Sequence, residues 1–433
     1  MTRSKRLKND VRARMQKTGE RYTTARAHIL AKLGLIEPSA GGYDYRPGIC
    51  PDTGAVRNFA EACGLHLPNG KAPSEALITG LAGGVGFLYI VFEYGGMPPM
   101  ISVLTRFDTA ADRFAVGALE RLGLGLQSSQ TASAAKARKD LDAALDRGRP
   151  VLCIVDAPTL KSGLTPKELR GMAPTLVTVV SREGERYQVD TGRGAAFEVD
   201  AAHLAEARAA NKKCKHGAWV PAGTADSPDW SAAIQGAVAA CAGRYTEAPY
   251  KGFASNFGLA GLEKWARLLV DRKDKKGWPT LFPEGRLASL ALRRTWQGLE
   301  VEMTPPAAGR GLYAQFLREA AHLTRTPAYE TAALAFDRSA NAWNALSECI
   351  ASSGVPAVAS GCELLDAYAE SLDEAASGTR DWPAELSGAA EGPGLDRDGA
   401  LALYASMAEH VAVVLDTERT ALAALESALP GRG

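Results

Sequence analysis

A cysteine at the start of a predicted helix is the feature of this sequence that most directly suggests chemistry. Cys50 lies in residues 48–54, which read Gly-Ile-Cys-Pro-Asp-Thr-Gly. Proline suits the first helical turn, and Asp52 and Thr53 can cap its free amides. We expect the positive end of the helix dipole to lower the pKa of the Cys50 thiol and to raise its thiolate fraction. Cys50 is therefore a candidate nucleophile, and a small buried core cysteine is the alternative.

Three carboxylates are candidates for supporting roles. Asp156 and Asp190 end apolar stretches that read as strands, where a carboxylate either forms a cap or turn or belongs to an active site. In an active site, either one could orient a catalytic base. Glu75, in Pro-Ser-Glu-Ala, is expected to cap a helix or to anchor a buried hydrogen bond, and contact with a substrate is the alternative.

The sequence indicates no cofactor and no metal site. Residues 80–86 read Gly-Leu-Ala-Gly-Gly-Val-Gly, but they lack the Lys-Ser or Lys-Thr of a phosphate loop and the Gly-x-Gly-x-x-Gly order of a dinucleotide fingerprint. We interpret these glycines as packing residues. The seven cysteines form no Cys-x-x-Cys pair, and their odd number argues against a disulfide framework. We therefore expect a reducing, cytoplasmic location.

The composition is that of an ordinary soluble globular protein. Hydrophobic residues make up 46% of the 433 residues and charged residues 23%. The chain has 50 basic and 49 acidic side chains. This balance argues against a nucleic-acid partner. The longest uncharged apolar run, residues 76–92, is interrupted by four glycines and is too short to span a bilayer, so we expect no membrane contact.

Length and pattern predict three segments. Residues 1–40 form a basic, helical arm anchored by the leucines of residues 30–35, and the arm is either a solvated extension or a docking surface for an acidic partner such as an acyl carrier protein. Residues 41–222 form an α+β domain with a largely antiparallel sheet. Residues 223–433, rich in alanine and leucine at helical spacing, form an all-α domain.

The patterns also predict individual elements. Alternating apolar residues predict strands, and apolar residues at helical spacing between Gly or Pro breaks predict helices. The predicted strands are 88–92, 100–104, 150–155, 175–181 and 186–190. The predicted helices are 53–63, 132–147, 229–243, 259–273, 284–303, 309–324, 328–352, 357–376 and 396–429.

Several motifs occur in an order shared with a known family. They are the helix headed by Cys50, the run Ser-Glu-Ala-Leu-Ile-Thr-Gly-Leu-Ala-Gly-Gly-Val-Gly-Phe at 74–87, Gly-Arg-Pro-Val at 148–151 and Val-Asp-Thr at 189–191. In this order the chain resembles the butirosin biosynthesis protein H family. Residues 309–321 are similar to the helical domain that commonly follows in that family, so the resemblance covers most of residues 42–350.

The resemblance implies a papain-like N-terminal domain that acts as an acyltransferase in specialised metabolism. Its substrates would be the thioester of an acyl carrier protein and a small amine. The cysteine thiolate would displace the carrier thiol to form an acyl-enzyme, which the amine would then open to an amide. The expected catalytic and substrate-binding residues are Cys50, Asp190, Asp156, Glu75, Thr175 and Arg310. For Arg310, a structural ion pair is the alternative.

The chain departs from the family pattern at two positions. Family members usually carry a histidine just before the cysteine and another at the start of a later strand, where this chain has Ile49 and Thr175. Loss of a general base costs roughly 10²- to 10⁴-fold in rate. We interpret His66 and His216 as ordinary histidines rather than substitutes. The hypotheses are a Cys50-dependent acyltransferase, a degenerate papain-like protein that binds a carrier protein or an intermediate without turnover, and carboxylate catalysis in the same cleft.

Overall fold

The computed structural model describes residues 3–18, 25, 29, 43–93, 98–106, 110, 112–161, 164–165, 167–192, 196–223, 227–302, 307–371, 381–389 and 393–430. Within these residues the strands lie between positions 88 and 221, and the second half is helical.

Strands and α-helices are labelled in chain order. The strands of the described residues are β1 (Leu88–Phe92), β2 (Met100–Leu104), β3 (Leu126–Ser129), β4 (Val151–Asp156), β5 (Pro174–Glu183), β6 (Arg186–Asp190), β7 (Phe197–Asp200) and β8 (Ala218–Pro221). The helices before position 222 are α1 (Arg3–Thr18), α2 (Pro51–Ala62), α3 (Glu75–Leu81), α4 (Arg113–Arg121), α5 (Ala134–Leu145), α6 (Ala157–Leu160) and α7 (Ala201–Ala209). The later helices are α8 (Trp230–Thr246), α9 (Gly258–Val270), α10 (Trp278–Leu281), α11 (Gly285–Glu300), α12 (Arg310–Thr324), α13 (Ala328–Ala351), α14 (Pro356–Ser371), α15 (Trp382–Ala389) and α16 (Arg397–Ser427).

The main sheet is antiparallel throughout, in the order β3-β8-β4-β5-β6-β7. Because side chains alternate along a strand, β4 and β5 each contribute to two faces. Leu152 and Leu176 share a buried cluster with α2, whereas Cys153 and Val177 share another with α5 and α7. The predicted α+β class with an antiparallel sheet is confirmed, and α2 lies on the sheet face that carries Leu176.

The predicted strands are all present, with ends shifted by no more than two residues. The sequence patterns predict none of β3, β7 and β8. Each of these strands has four residues, and so short a segment is too brief for alternation to stand out. Two of them complete the sheet edges, because β3 and β7 are its outermost strands.

A separate two-stranded sheet joins the two halves of the chain. β1 and β2 pair with each other and not with the main sheet. Their buried residues pack among the helices of the second half: Tyr89 stacks on Trp265 at 6.1 Å between ring centroids, and its hydroxyl accepts a hydrogen bond from Trp278 Nε1 at 3.1 Å. The hydrophobic core therefore continues across the predicted boundary at residue 222.

The helical second half follows the sequence prediction closely. All seven helices predicted after residue 222 are present, and the part of segment 357–376 beyond Ser371 lies outside the described residues. By length and composition, α16 could cross a membrane. In this structure one face of α16 packs along α9 and α13 and buries Tyr404, Met407 and Val411, while only 28% of its most apolar window is buried.

The basic arm is helical where the structure describes it, in α1. Val11 is buried in a small cluster with Ala369 of α14, and Arg12 forms an ion pair with Glu370 at 3.0 Å. The predicted anchors, residues 30–35, lie outside the described residues. The arm therefore contacts the helical half through its first helix.

Arg310 is fully buried at the start of α12 and links the two halves. Its Nε donates to Glu418 Oε1 of α16 at 2.7 Å. Its two Nη atoms donate to the carbonyls of Thr105, Ala308 and Gly86 at 2.8–3.0 Å and to the Tyr245 hydroxyl at 3.4 Å. A guanidinium has five N–H donors, and here all five have protein acceptors. The expected substrate contact is therefore wrong for this conformation, and the structural ion pair is what the chain forms.

Replacing Glu418 should destabilise the whole fold. Glu418→Gln removes the charge that compensates the buried Arg310, and Glu418 also accepts hydrogen bonds from Ser339 and Trp343. Breaking one side of a buried ion pair costs about 3–5 kcal/mol, which denaturant-induced unfolding would measure. Glu263→Gln, which breaks the exposed pair with Arg419, is the control and should change the stability little. Equal stabilities for the two variants would contradict this role of the buried pair.

Candidate functional site

Helix α2 begins directly after Cys50, as the sequence predicts. Cys50 is the N-cap residue with an extended backbone (φ −107°, ψ 129°), and Pro51 occupies the first helical position. The Cys50 carbonyl accepts a hydrogen bond from Thr53 Oγ1 at 3.0 Å. Only 2% of Cys50 is exposed, so the thiol lies at a helix N-terminus but inside the protein.

The carboxylate of Glu75 holds the chain that leads into α2. Glu75 Oε1 accepts hydrogen bonds from the Cys50 backbone N–H at 2.8 Å and from Thr53 Oγ1 at 2.5 Å. Glu75 Oε2 accepts the Ile49 backbone N–H at 2.8 Å, and Arg57 Nη1 lies 3.5 Å from the same oxygen. Two successive backbone amides at the thiol therefore bind one buried carboxylate. The expected structural role of Glu75, a buried hydrogen-bond anchor, is the one that its contacts show.

Helix α3 positions Glu75 as its first residue. Ser74 is the N-cap: its Oγ accepts the Leu77 backbone N–H at 2.9 Å and donates to Glu319 Oε2 of α12 at 2.6 Å. Burial raises the pKa of Glu319. The cap of α3 is thus fixed from the helical half, and with it the place of the Glu75 carboxylate.

The surroundings of Cys50 raise the pKa of its thiol well above 9.0. Burial is the main cause, and the negative charges of Glu75 and Asp52 act in the same direction. Arg106 lowers the pKa in part, and its guanidinium pairs with Asp52 and lies 3.9 Å over the Phe114 ring. The expectation of a lowered thiol pKa is therefore wrong for this conformation, because burial and carboxylates outweigh the helix terminus.

Close backbone contact fixes the start of α2 against the loop after β6. Gly192 has a left-handed backbone (φ +76°), and a Cβ there would lie 1.5 Å from the Pro51 carbonyl oxygen. The Gly192 carbonyl accepts the Gly48 backbone N–H at 3.0 Å. Only glycine fits where the backbones approach this closely. Gly192 therefore contacts the chain on both sides of Cys50, at Gly48 and at Pro51.

Asp190 ties three segments together beside α2. Its Oδ2 accepts hydrogen bonds from the Tyr43 hydroxyl at 2.8 Å and from Asn58 Nδ2 at 2.9 Å, and its Oδ1 accepts the Gly192 backbone N–H at 2.7 Å. Burial raises the pKa of Asp190. Asn58 lies eight residues after Cys50, about 12 Å along the helix. The structure therefore places Asp190 beside α2 but not at the thiol.

Asp156 serves a different part of the fold. Its Oδ2 accepts the Thr159 hydroxyl at 2.6 Å, and its Oδ1 accepts the backbone N–H groups of Gly171 and Ala173 at 2.9 and 3.3 Å. It caps α6 and fixes the loop that leads into β5. Asp156 and Asp190 pair with residues of β5 four positions apart, about 13 Å along a strand, so the structure does not bring the two carboxylates together.

Thr175 lies on the sheet face away from α2. Side chains alternate along β5, and Val177 shares its buried cluster with α5 and α7 rather than with α2. The residue directly across from Asp190 is Thr178, on the face that carries Leu176. In this register a side chain at position 178, rather than 175, faces α2. A substrate contact by Thr175 stays a prediction.

The five histidines of the described residues lie elsewhere. His66 Nδ1 contacts the Gly64 carbonyl at 2.8 Å, beyond the C-terminal end of α2. His203 contacts the Thr159 carbonyl at 2.6 Å, and His216 lines a small cavity between α5 and α7, so both are on the far side of the sheet. His322 and His410 are on α12 and α16. Among the described residues, no group of three or more His, Cys, Asp or Glu side chains is arranged to hold a metal ion.

Several residues of this site carry little sequence signal. Arg57 and Asn58 lie in a helix and Tyr43 in a loop. The sequence patterns of these segments account for such polar residues as surface residues, so they give no sign of the buried partners that the structure shows. Arg106 lies two residues after the end of β2, whereas Asp156 and Asp190 are the last residues of their strands. A charge at a strand end is the signal that could have drawn attention to Arg106.

The fold and the site define a papain-like α+β protein in which a cysteine-headed helix packs on an antiparallel sheet, followed by a helical region. Residues 50–190 match the family model described as butirosin biosynthesis protein H, N-terminal. Residues 202–380 match a domain of unknown function (DUF4872). The first match agrees with the resemblance that the motif order indicates, and the two matches lie one after the other along the chain. None of the curated proteins matches it.

Substituting Gly192 should disturb the Cys50 site specifically. Gly192→Ala places a methyl group against the Pro51 carbonyl at a positive φ. We therefore expect the free energy of unfolding to fall by about 2–4 kcal/mol, as in the larger effects of backbone strain and overpacking. Gly184→Ala is the matched control, because Gly184 also has a positive φ (+58°) but nothing lies within 4 Å of its added Cβ. Thermal unfolding compares the two, and a similar loss for both variants would show that the close contact at Pro51 is unimportant.

Weakening Glu75 should expose the thiol. Glu75→Gln replaces one of the two acceptor oxygens by an NH2 group, which cannot accept the backbone N–H of Ile49 or Cys50 that it faces. We therefore expect faster alkylation of Cys50 by iodoacetamide, about tenfold for each 1.4 kcal/mol by which the buried state of Cys50 is destabilised. Peptide mass spectrometry distinguishes Cys50 from the other six cysteines. The control is Glu61→Gln. Glu61 lies on α2, the helix that Cys50 precedes, but it pairs with Arg46, so its replacement should leave the alkylation rate of Cys50 unchanged. Equal rates in all three proteins would refute the role of Glu75.

Proposed function

We propose that this chain acts in natural-product biosynthesis as a papain-like binding protein that holds a carrier protein or a pathway intermediate without forming an acyl-enzyme on Cys50. The match of residues 50–190 to a family model named for butirosin biosynthesis supports the metabolic setting. The hydrogen bond from the Cys50 backbone N–H to Glu75 Oε1, at 2.8 Å, is the observation that carries the proposal.

That hydrogen bond bears directly on acyl transfer. When a thiolate attacks a thioester, the carbonyl oxygen becomes an oxyanion, which backbone N–H groups beside the nucleophile stabilise. Here the N–H of Cys50 and the preceding N–H of Ile49 both donate to a carboxylate. A developing oxyanion at this place would meet a negative charge instead of free donors. Loss of one oxyanion-hole donor already costs roughly 10²- to 10³-fold in rate.

The state of the thiol supports the same function. A cysteine acts as a nucleophile through its thiolate, and the raised pKa of Cys50 keeps the group protonated near neutral pH. Burial adds to this effect, because a thioester would have to reach a residue that is 2% exposed. Both features are those of a cysteine retained for packing at the head of α2.

Acyl transfer through Cys50 is the second candidate, and one observation favours it. Cys50 is the N-cap of a 12-residue helix, and a helix N-terminus can stabilise a thiolate. Arg106 also lowers the thiol pKa in part. This function would require Glu75 to leave the amides of Ile49 and Cys50 before the thioester arrives.

Incubation with a simple acyl thioester separates the two functions. The purified protein is mixed with S-acetyl-N-acetylcysteamine and a small primary amine, and intact-mass and product analyses follow. We expect no acetyl group on Cys50 and amide formation at the rate of the uncatalysed mixture, unchanged in Cys50→Ala. Acetylated Cys50 together with amide formation that Cys50→Ala abolishes would replace the binding proposal by acyl transfer.

A further inference from the structure

A short turn in the helical half exposes two aromatic side chains. Tyr250 precedes the 3-10 turn Lys251–Asn256 and is 48% exposed, and Phe253 within the turn is 57% exposed. Single exposed apolar residues are common on protein surfaces, but adjacent large ones point to an interaction. The turn is well anchored, because Asn256 Nδ2 donates to the Tyr89 carbonyl at 2.7 Å and Asn256 Oδ1 accepts from Lys264 Nζ at 3.0 Å. The fold therefore holds the two rings outward.

The loop between α9 and α10 pairs its two acids with nearby groups and leaves three cations exposed. Asp271 accepts the backbone N–H groups of Lys273 and Asp274 at 2.9 and 3.0 Å, and Asp274 accepts that of Lys276 at 2.8 Å. Both carboxylates also bind Arg267, at 2.9 and 3.1 Å. These hydrogen bonds lower the pKa of each aspartate. With the acids used inside the loop, its exposed positive charges are those of Arg272, Lys273 and Lys275.

The aromatic turn and the basic loop lie at the two ends of α9, about 20 Å apart along the helix axis, and they are linked through Lys264 and Tyr89. Lys264 contacts the turn through Asn256, and its pKa is lowered by burial and then by Arg267, the residue that binds both aspartates of the loop. Tyr89 joins the same two places, since its carbonyl accepts from Asn256 and its hydroxyl accepts from Trp278, directly after the loop. Rings and cations can therefore lie within one interface of standard size, about 800 Å² on each side.

We propose that the aromatic–basic surface, formed by Tyr250, Lys251, Phe253, Arg272, Lys273 and Lys275, docks an acidic protein partner. This inference rests on the proposed binding function and names the chemistry of its partner. Aromatic residues are enriched at the centres of protein interfaces, and complementary charges around them steer association.

A protein fits this surface better than a nucleic acid does. The paired aspartates of the loop stand between its cations in the chain, so the exposed positive charge is not the regular row that a phosphate backbone would match. A protein can instead place its own carboxylates against Lys273 and Lys275 and an apolar side chain against Phe253. The chain as a whole is almost neutral, with 50 basic and 49 acidic residues. Electrostatic attraction of an acidic partner would therefore come from the cations of this surface and not from the overall charge.

Fluorescence anisotropy with a defined probe tests the docking surface on the full chain. The probe is a fluorescein-labelled, 16-residue helical peptide with leucine at every fourth position and glutamate at most others. We expect saturable binding that weakens as salt rises, at least tenfold weaker for Lys273→Glu/Lys275→Glu and severalfold weaker for Phe253→Ser. Lys212→Glu/Lys213→Glu and Leu334→Ser are the matched controls, because they change exposed residues of the same kinds elsewhere, and they should bind as the unsubstituted protein does.

Three outcomes would overturn the proposal. They are no binding of the peptide, the same loss in the control variants, or tighter binding of a single-stranded DNA oligonucleotide of equal charge than of the acidic peptide. Circular dichroism of each variant verifies that it is folded. The result is independent of Cys50 chemistry: acetylation of Cys50 would refute the proposed function while leaving this surface in place, and failed binding would refute the surface alone.

Discussion

The pairing of one buried carboxylate with two successive amides is the interaction on which the Cys50 site depends. Glu75 binds the N–H groups of Ile49 and Cys50 and the hydroxyl of Thr53. Buried polar groups are costly when they are unpaired, so this arrangement satisfies the amides at the head of α2 and the carboxylate together. The same contacts decide what the cysteine can do, because they place negative charge where an oxyanion would form and raise the thiol pKa.

The Cys50 site is also coupled to the core of the helical half. Arg310, buried against Glu418, donates to the carbonyl of Thr105. The next residue, Arg106, pairs with Asp52 in the first turn of α2. Glu319 of α12 holds the cap of α3, which carries Glu75. The helical half thus fixes the site from two directions, and the protein behaves as one packed body in which β1 and β2 of the first half complete the core of the second.

The sequence predicts the elements of this fold better than it predicts the site. Helical spacing and Gly or Pro breaks give the long helices after residue 222, and the helix start at Cys50 follows from Pro51 alone. The roles of Glu75 and Arg310 depend on partners that are distant in the chain, namely the amides at residues 49 and 50 and Glu418, and no local pattern contains them. Thr175 shows a further limit: an odd shift in position changes the face of a strand, and the face on which Thr175 lies depends on strand pairing that its own sequence does not contain.

The ionisation of the Cys50 thiol tests the central claim most directly. Selective ¹³Cβ labelling of cysteine, with Cys50→Ser to assign the signal, reports the thiolate of each cysteine as the pH is raised. The account predicts that the Cys50 signal does not titrate between pH 6 and the ordinary thiol value of 9.0, because burial and Glu75 oppose the thiolate. A thiolate transition of Cys50 below about pH 8, under the unperturbed cysteine range, would contradict it and restore Cys50 as a nucleophile.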